Sequence, residues 1–220
     1  MIEDFANIPL FRNMTPGDIE AALQCVGAFV KEYKKDEFLF LEEAKLQCVG
    51  CVIKGSVQMI REDIWGNKRM FIPIGEKELF GESFACGGDE TVTVSFLAKE
   101  DTAVLFLPFD RVMHSCTSAC THHQKLVVNM VTVMAEKNAR LIAKIDILSK
   151  KTLREKITAY LLMEASNNNA TYFEISLGRV QLAEYLNADR SALTRELNLM
   201  REEGLIDFEK NTFRILKKFD

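Results

Sequence analysis

The stretch 189-DRSALTRELNLMREEGLI-206 has the period of an amphipathic α-helix. Leu193, Leu197 and Met200 recur at i, i+4 and i+7, which puts them on one face. Asp189 stands where an N-cap belongs, and Gly204 where a helix stops. Arg190, Ser191, Thr194, Arg195 and Asn198 are left on the opposite side. Outward from this helix, Asn187-Ala188 leaves room only for a tight connection to a preceding helix, predicted over Leu177–Leu186 with Ser176 as its cap. A short strand is predicted over Thr171–Ile175, and Leu205–Glu209 with Thr212–Leu216 reads as a hairpin around Lys210-Asn211. Helix, short turn, helix and hairpin make a winged helix-turn-helix.

In that arrangement the N-terminal half of the second helix enters the major groove of DNA. Polar side chains gathered there suit base reading: Arg can hold a guanine through two bonds, and Ser and Asn reach base edges or phosphates. From Thr152 onward the chain has ten Lys and Arg against eleven Asp and Glu. Attraction to phosphate therefore has to come from a local patch, predicted as Arg179, Arg190, Arg195, Lys210 and Arg214. The plain alternative is a solvated face on an ordinary helical hairpin.

Further back, T152-x-x-E155 is a capping box that starts a helix with Leu153, Ile157 and Leu161 on its apolar face, closed by Asn167-Asn168-Asn169. Before it, QKLVVNMVTVMAEKNARLIAKIDILSK (124–150) contains neither Pro nor Gly. One helix of that length spans ~40 Å. Val127, Met134, Leu141 and Leu148 fall seven apart and are assigned to heptad position d, which puts Val131, Asn138 and Ile145 at a. β-branched residues at a with Leu or Met at d favour two parallel strands, and one Asn at a fixes their register. The seam of those seven residues predicts a homodimer axis. Val128, Ala135 and Ile142 at e are expected to pack on the helix's own protomer.

At the front, Thr15-Pro16 starts a short helix, with a hydroxyl cap and a Pro whose missing N–H goes unneeded. From Ala28 to Pro108 short alternating runs take over. Phe38–Leu41, Cys51–Ile53, Val57–Ile60, Arg69–Ile72, Val92–Phe96 and Ala103–Leu107 read as strands, with turns at Lys54-Gly55-Ser56 and Trp65-Gly66-Asn67. A module of about 80 residues built this way is an antiparallel barrel, roll or sandwich. The expected class is α+β: residues 1–123 a sensing β module, 124–150 a dimerisation helix, 151–220 a DNA-binding domain.

The 220 residues are 48% hydrophobic with a net charge of −4, which allows a proper core and gives no general attraction to nucleic acid or anionic membrane. No apolar run reaches the ~20 residues of a membrane span. The start, MIEDFANIPL, is acidic rather than a signal peptide, and six irregularly spaced Cys predict reduced thiols in a cytoplasm.

Taken in this order, the chain resembles the cyclic-AMP receptor/FNR family of bacterial transcription regulators over nearly its full length. The resemblance rests on IKGSVQMI (53–60), Phe80-Gly81-Glu82 and, most strongly, DRSALTRELNLMREEGLI (189–206). It implies a β-roll (a cupin-like double-stranded β-helix of the cyclic-nucleotide-binding kind), a dimerising helix and a winged helix-turn-helix. It also implies an inverted-repeat double-stranded DNA site, and RNA polymerase as a further partner. Arg190, Ser191 and Arg195 match the family's three main DNA-contacting positions, the middle of which is usually Glu. A Ser reaches less far than Glu and can donate, so the family's well-known half-site sequences do not carry over.

The same resemblance places an effector pocket at Gly81, Glu82, Val92 and Thr93. Cyclic-nucleotide binders of the family hold the phosphate with an Arg where this chain has Val92. No Arg occurs between Arg69 and Arg111, so the charge-assisted bidentate partner of a phosphate is missing and cyclic AMP is not expected. The effector stays unidentified and no cofactor is assigned.

Two Cys-bearing stretches remain. Cys48 and Cys51 look like a CxxC, but residues three apart on a strand point to opposite faces, so buried structural thiols are expected. In HSCTSACTHH (114–123), Cys116, Cys120 and His123 lie on one face if the stretch is helical, a set that suits zinc, iron or haem. A polar hinge between roll and long helix fits the same residues. The expected protein is a DNA-binding regulator, with a ligand- or redox-sensing module acting on a protein partner as the competing reading. No nucleophile–base pair, P-loop or zinc-protease motif points to an enzyme.

Overall fold

A computed structural model describes residues 5–62, 68–86, 92–114 and 120–217. A 3₁₀ turn (Pro9–Phe11) leads to α1 (Pro16–Val26), where Thr15 and Asp18 close a reciprocal capping box. Eight strands follow: β1 (Phe29–Tyr33), β2 (Phe38–Phe40), β3 (Cys48–Lys54), β4 (Val57–Glu62), β5 (Lys68–Ile74), β6 (Leu79–Phe80), β7 (Ser95–Ala98) and β8 (Thr102–Pro108). They pair antiparallel in two four-stranded sheets, ordered β1-β8-β3-β6 and β2-β7-β4-β5. The turn predicted at Trp65-Gly66-Asn67 lies outside the described residues.

Alternation along each strand divides the apolar side chains between two layers. Between the sheets lie Leu39, Val52, Val57, Ile74, Phe80, Val94, Phe96, Val104 and Phe106. The rings interlock: Phe80 and Phe96 centroids are 5.1 Å apart, and Phe40 meets Phe106 edge-on at 5.6 Å. Gly50 has a hard reason to be Gly, since a Cβ there would come within 2.3 Å of the Phe80 ring. The other face of the β3/β8 sheet packs Val49, Cys51, Leu105 and Leu107 against α1 and the 3₁₀ turn. Cys48 and Cys51 thus face opposite layers, as strand geometry requires, and burial pushes the Cys51 thiol up to about 12.

One predicted strand is shortened. Val92-Thr93-Val94 precedes β7 instead of belonging to it, because the Val92 backbone is bonded to Glu43 and Ala44 (2.7 and 3.1 Å) in a non-strand segment. Beyond β8 come α3 (Phe109–Met113) and the long α4 (Thr121–Ser149). The chain divides into two compact units within α4, Met1–Ala135 and Glu136–Asp220.

Leu126 and Met130, both buried, with the half-buried Val127, Val133 and Met134, seat the first half of α4 on the β-unit core. The exposed stripe runs Val128, Val131, Ala135, Asn138, Ile142 and Ile145, with Leu141 on its border. This corrects the predicted flank. Val128 and Ile142 are 62% and 60% exposed rather than packed on their own protomer, whereas Val127 and Met134 of the predicted seam are partly spent on the core.

In the second unit, α5 (Leu153–Asn168) starts at the Thr152/Glu155 capping box and ends on Asn169 in the left-handed region (φ 48°). It is followed by β9 (Tyr172–Glu174), α6 (Arg179–Tyr185), α7 (Arg190–Glu202), β10 (Ile206–Glu209) and β11 (Thr212–Ile215), with strand order β10-β11-β9. The start of α6 differs from the expected one. Ser176 is not its cap; Gly178 is, its N–H donating to Gln181 Oε1 at 2.9 Å, so the helix begins at Arg179.

Candidate DNA interface

The face of α7 is set from beneath. Leu193, Leu197 and Met200 are fully buried beside Leu182, Leu186, Ile206 and Phe213. With three inward positions fixed, helical geometry leaves Arg190, Ser191, Thr194 and Arg195 exposed and Asn198 half-exposed, and these five line one shallow surface concavity. The Thr194 hydroxyl donates to the Arg190 carbonyl (2.9 Å) and Asn198 Oδ1 accepts from Arg201 Nη2 (3.2 Å).

Arg154 braces α7 from α5. Both its Nη atoms donate to Glu203 at 2.7 Å, and its Nε donates to Glu196 at 2.5 Å. Such fork-shaped pairing fixes orientation as well as distance. The guanidinium holds the Glu203 carboxyl below the usual carboxylate range, and Glu203 followed by Glu196 raises Arg154 in turn. Periodicity gave no hint of this brace.

Of the three remaining residues of the predicted patch, Arg179 is half-buried. Its Nη2 donates to the Lys210 carbonyl at 2.9 Å and its guanidinium lies 4.9 Å from the Phe208 ring centroid. Arg201 is also 4.9 Å from the Phe208 centroid, so the wing aromatic serves two cations. Desolvation lowers Arg179. Arg179 therefore positions the wing, and Lys210 stands exposed at the hairpin tip with φ 51°. Arg214 lies 5.1 Å from the Tyr172 ring centroid.

In the β unit, Gly81 adopts φ 78°, and a Cβ there would come within 2.4 Å of Leu46 Cδ2. It leads into α2 (Glu82–Ala85), in which Glu82 is buried. Val92 is buried in the aromatic layer, and Thr93 beside it is exposed. The Cys and His residues fare unequally. Cys120 and His123 come together and are joined by Cys25 of α1, whereas Cys116 lies outside the described residues.

Residues 30–118 match the family model of the cyclic nucleotide-binding domain, and residues 155–218 match that of the Crp-like helix-turn-helix domain. The chain is 24% identical over 208 residues to the Cyclic AMP receptor protein of Thermus thermophilus, covering 94% of this chain and 92% of that protein. It is 25% identical over 215 residues to the Transcriptional activator protein FnrA of Stutzerimonas stutzeri, covering 95% and 84%. Among solved structures, the Thermus thermophilus catabolite activator protein aligns over 94% of this chain and 93% of that one (TM-score 0.52, 22% identity). The c-di-GMP responsive regulator CLP of Xanthomonas campestris aligns over 93% and 100% (TM-score 0.58, 17% identity).

Proposed function

Since the chain belongs to the cyclic-AMP receptor/FNR family of DNA-binding transcription regulators, we propose that it acts as a homodimer on an inverted-repeat operator, under control of a small effector other than cyclic AMP. The observation that carries the DNA reading is the α7 face: Arg190, Ser191, Thr194 and Arg195 exposed together, with the half-exposed Asn198, above a fully buried apolar seam. Arg195 and Arg190 read bases, Ser191 reaches a base edge or phosphate, and Lys210 with Arg214 meets the backbone. A module that acted only on a protein partner would have no use for two arginines presented in this way.

The dimer is built on the apolar stripe of α4, which an isolated protomer would leave in water. Two-fold symmetry then spaces the half-sites one helical turn apart, ~34 Å. The effector acts through the roll and α4, and it shifts the recognition helices only to the extent that it binds their two arrangements unequally. Val92 in place of an arginine, and an interior packed with Phe80, Phe96 and Phe106, argue against a phosphate ligand there. The role is regulatory rather than enzymatic and is placed in the cytoplasm, with RNA polymerase as the further protein contact. Among the described residues no helix is long and apolar enough to cross a membrane.

Selection from random duplex DNA tests the reading together with a calorimetric titration of cyclic AMP. The expected outcome is an enriched palindrome, binding that weakens steeply with salt, and no heat from micromolar nucleotide. An absence of any enriched palindrome removes the DNA assignment, and micromolar nucleotide binding removes the effector argument.

A further inference from the structure

Three donors held by two helical elements of the β unit converge. Cys25 sits near the end of α1, Cys120 immediately precedes α4, and His123 lies in its first turn; their ligand atoms are all within 4.8 Å of one another. His123 is only 4% exposed. Its Nε2 lies 2.7 Å from the Val112 carbonyl oxygen of α3, which can only accept, so that nitrogen carries the proton. In the singly protonated ring the lone pair is then on Nδ1, and Nδ1 faces Cys25 Sγ at 3.5 Å.

We propose that Cys25, Cys120 and His123 bind one soft or borderline divalent cation of the zinc class, with the Val112 carbonyl as the outer partner that fixes the imidazole. Metal-bound histidines characteristically donate their second ring N–H to a carbonyl or carboxylate in this way. Two thiolates and an imidazole are a zinc donor set. A tetrahedral ion with bonds of ~2.3 Å to sulfur and ~2.0 Å to nitrogen holds a sulfur and a nitrogen ~3.5 Å apart, which is the separation of Cys25 Sγ and His123 Nδ1. Binding releases the two thiol protons to solvent, and the two thiolate charges neutralise the ion. Three donors leave the ion's fourth place to water or another ligand. With one donor on α1 and two at the root of α4, the loaded site cross-links these elements beside a second tie between them, Asp18 with Lys125 (2.9 Å) and His122 (2.6 Å).

The ordinary alternative is a core histidine that accepts a hydrogen bond from a thiol, and cobalt distinguishes the two. Full-length protein, reduced and chelator-treated under anaerobic conditions, is titrated with Co²⁺ and the absorption spectrum recorded. The proposal expects one ion per chain, sulfur-to-cobalt charge-transfer bands, intense tetrahedral d–d bands, and bleaching on addition of Zn²⁺. Cys25→Ser and Cys120→Ser, each checked for an intact melting transition, should bind Co²⁺ at least ~10-fold more weakly, since even outer partners cost 10–100-fold. The proposal fails if reduced wild type develops no thiolate–cobalt bands at excess metal. It fails equally if both serine variants retain the wild-type spectrum, which would place the ion on other thiols. Because the readout is optical, it is independent of the DNA and effector assignments.

Discussion

Helices α7 and α4 both carry apolar residues at helical period, and they divide them differently between core and surface. In α7 the contrast is absolute: Leu193, Leu197 and Met200 are fully buried and the arginines opposite are exposed. In α4 apolar residues occupy three adjacent columns, and the core takes Leu126, Met130 and part of Val127 and Met134, which shifts the exposed stripe toward Val128 and Ile142. Periodicity identifies a face when one face is apolar. Where several adjacent columns are, the surrounding structure decides which column is buried.

The largest expected effect comes from attacking the unambiguous seam. Leu197→Ala in the α7 core should destabilise the Glu136–Asp220 unit by ~2–5 kcal/mol, the usual range for a buried Leu truncated in place. Ser191→Ala, on the exposed side of the same helix, should leave the melting transition unchanged. A similar loss in both variants, followed by denaturant unfolding, would show that the two faces are not separated as described.

For α4 the discriminating pair is Ile142→Glu against Met134→Ala. Ile142 is 60% exposed in the protomer, and Met134 packs on the β-unit core. Removing an apolar side chain that a partner buries forfeits ~1.5–3 kcal/mol per site, twice in a symmetric dimer, and Glu adds like-charge repulsion. Sedimentation should therefore show Ile142→Glu as a monomer, while Met134→Ala lowers the melting point but remains dimeric. The opposite result would restore the seam through Val127, Met134, Leu141 and Leu148.

What was legible in the sequence follows from how local each signal is. The hydroxyl cap at Thr15, the capping box at Thr152, the turn before α7 and the hairpin tip at Lys210 are local, and all are present. The run Val92–Phe96 has the alternation of a strand, yet the backbone of its first residue bonds to Glu43 and Ala44, far away in sequence. Cys25 and His123 are 98 residues apart and Arg154 is 49 from Glu203, so no spacing rule connects them. Arg179 matched a basic patch by charge alone, but burial against Phe208 makes it a wing support.

The recognition face offers the next effect in size. Arg195→Ala should cost ~1–3 kcal/mol of affinity and relax preference at one base position if the contact is bidentate. Arg154→Ala removes no exposed contact on that face but unties α7 from α5, so it should weaken binding to all sequences without relaxing any position. Loss of base preference in Arg154→Ala, or unchanged specificity in Arg195→Ala, would exchange the two roles.

The smallest effect is electrostatic and compares how the two helices are held at their ends. The first turn of α4 has no acidic residue of its own, and Asp18 of α1 supplies the negative charge that a helix N-terminus favours. Lys125, then the Thr15 N–H, and lastly His122 hold the Asp18 carboxyl well below the usual carboxylate range, against the opposing effect of desolvation. A carboxyl whose value falls on folding contributes stability that is complete above its unfolded value and disappears as pH drops through the folded one. The Asp18 tie should therefore be constant from neutrality down to about pH 5 and weaken only below the ordinary carboxylate value of ~3.9. Glu203, lowered by Arg154, should follow the same direction in the other unit. Asp18→Asn should accordingly melt slightly below wild type at pH 7, with the gap closing as the buffer is taken toward pH 3. A gap that widened on acidification would mean that Asp18 is not held as the charged partner of Lys125.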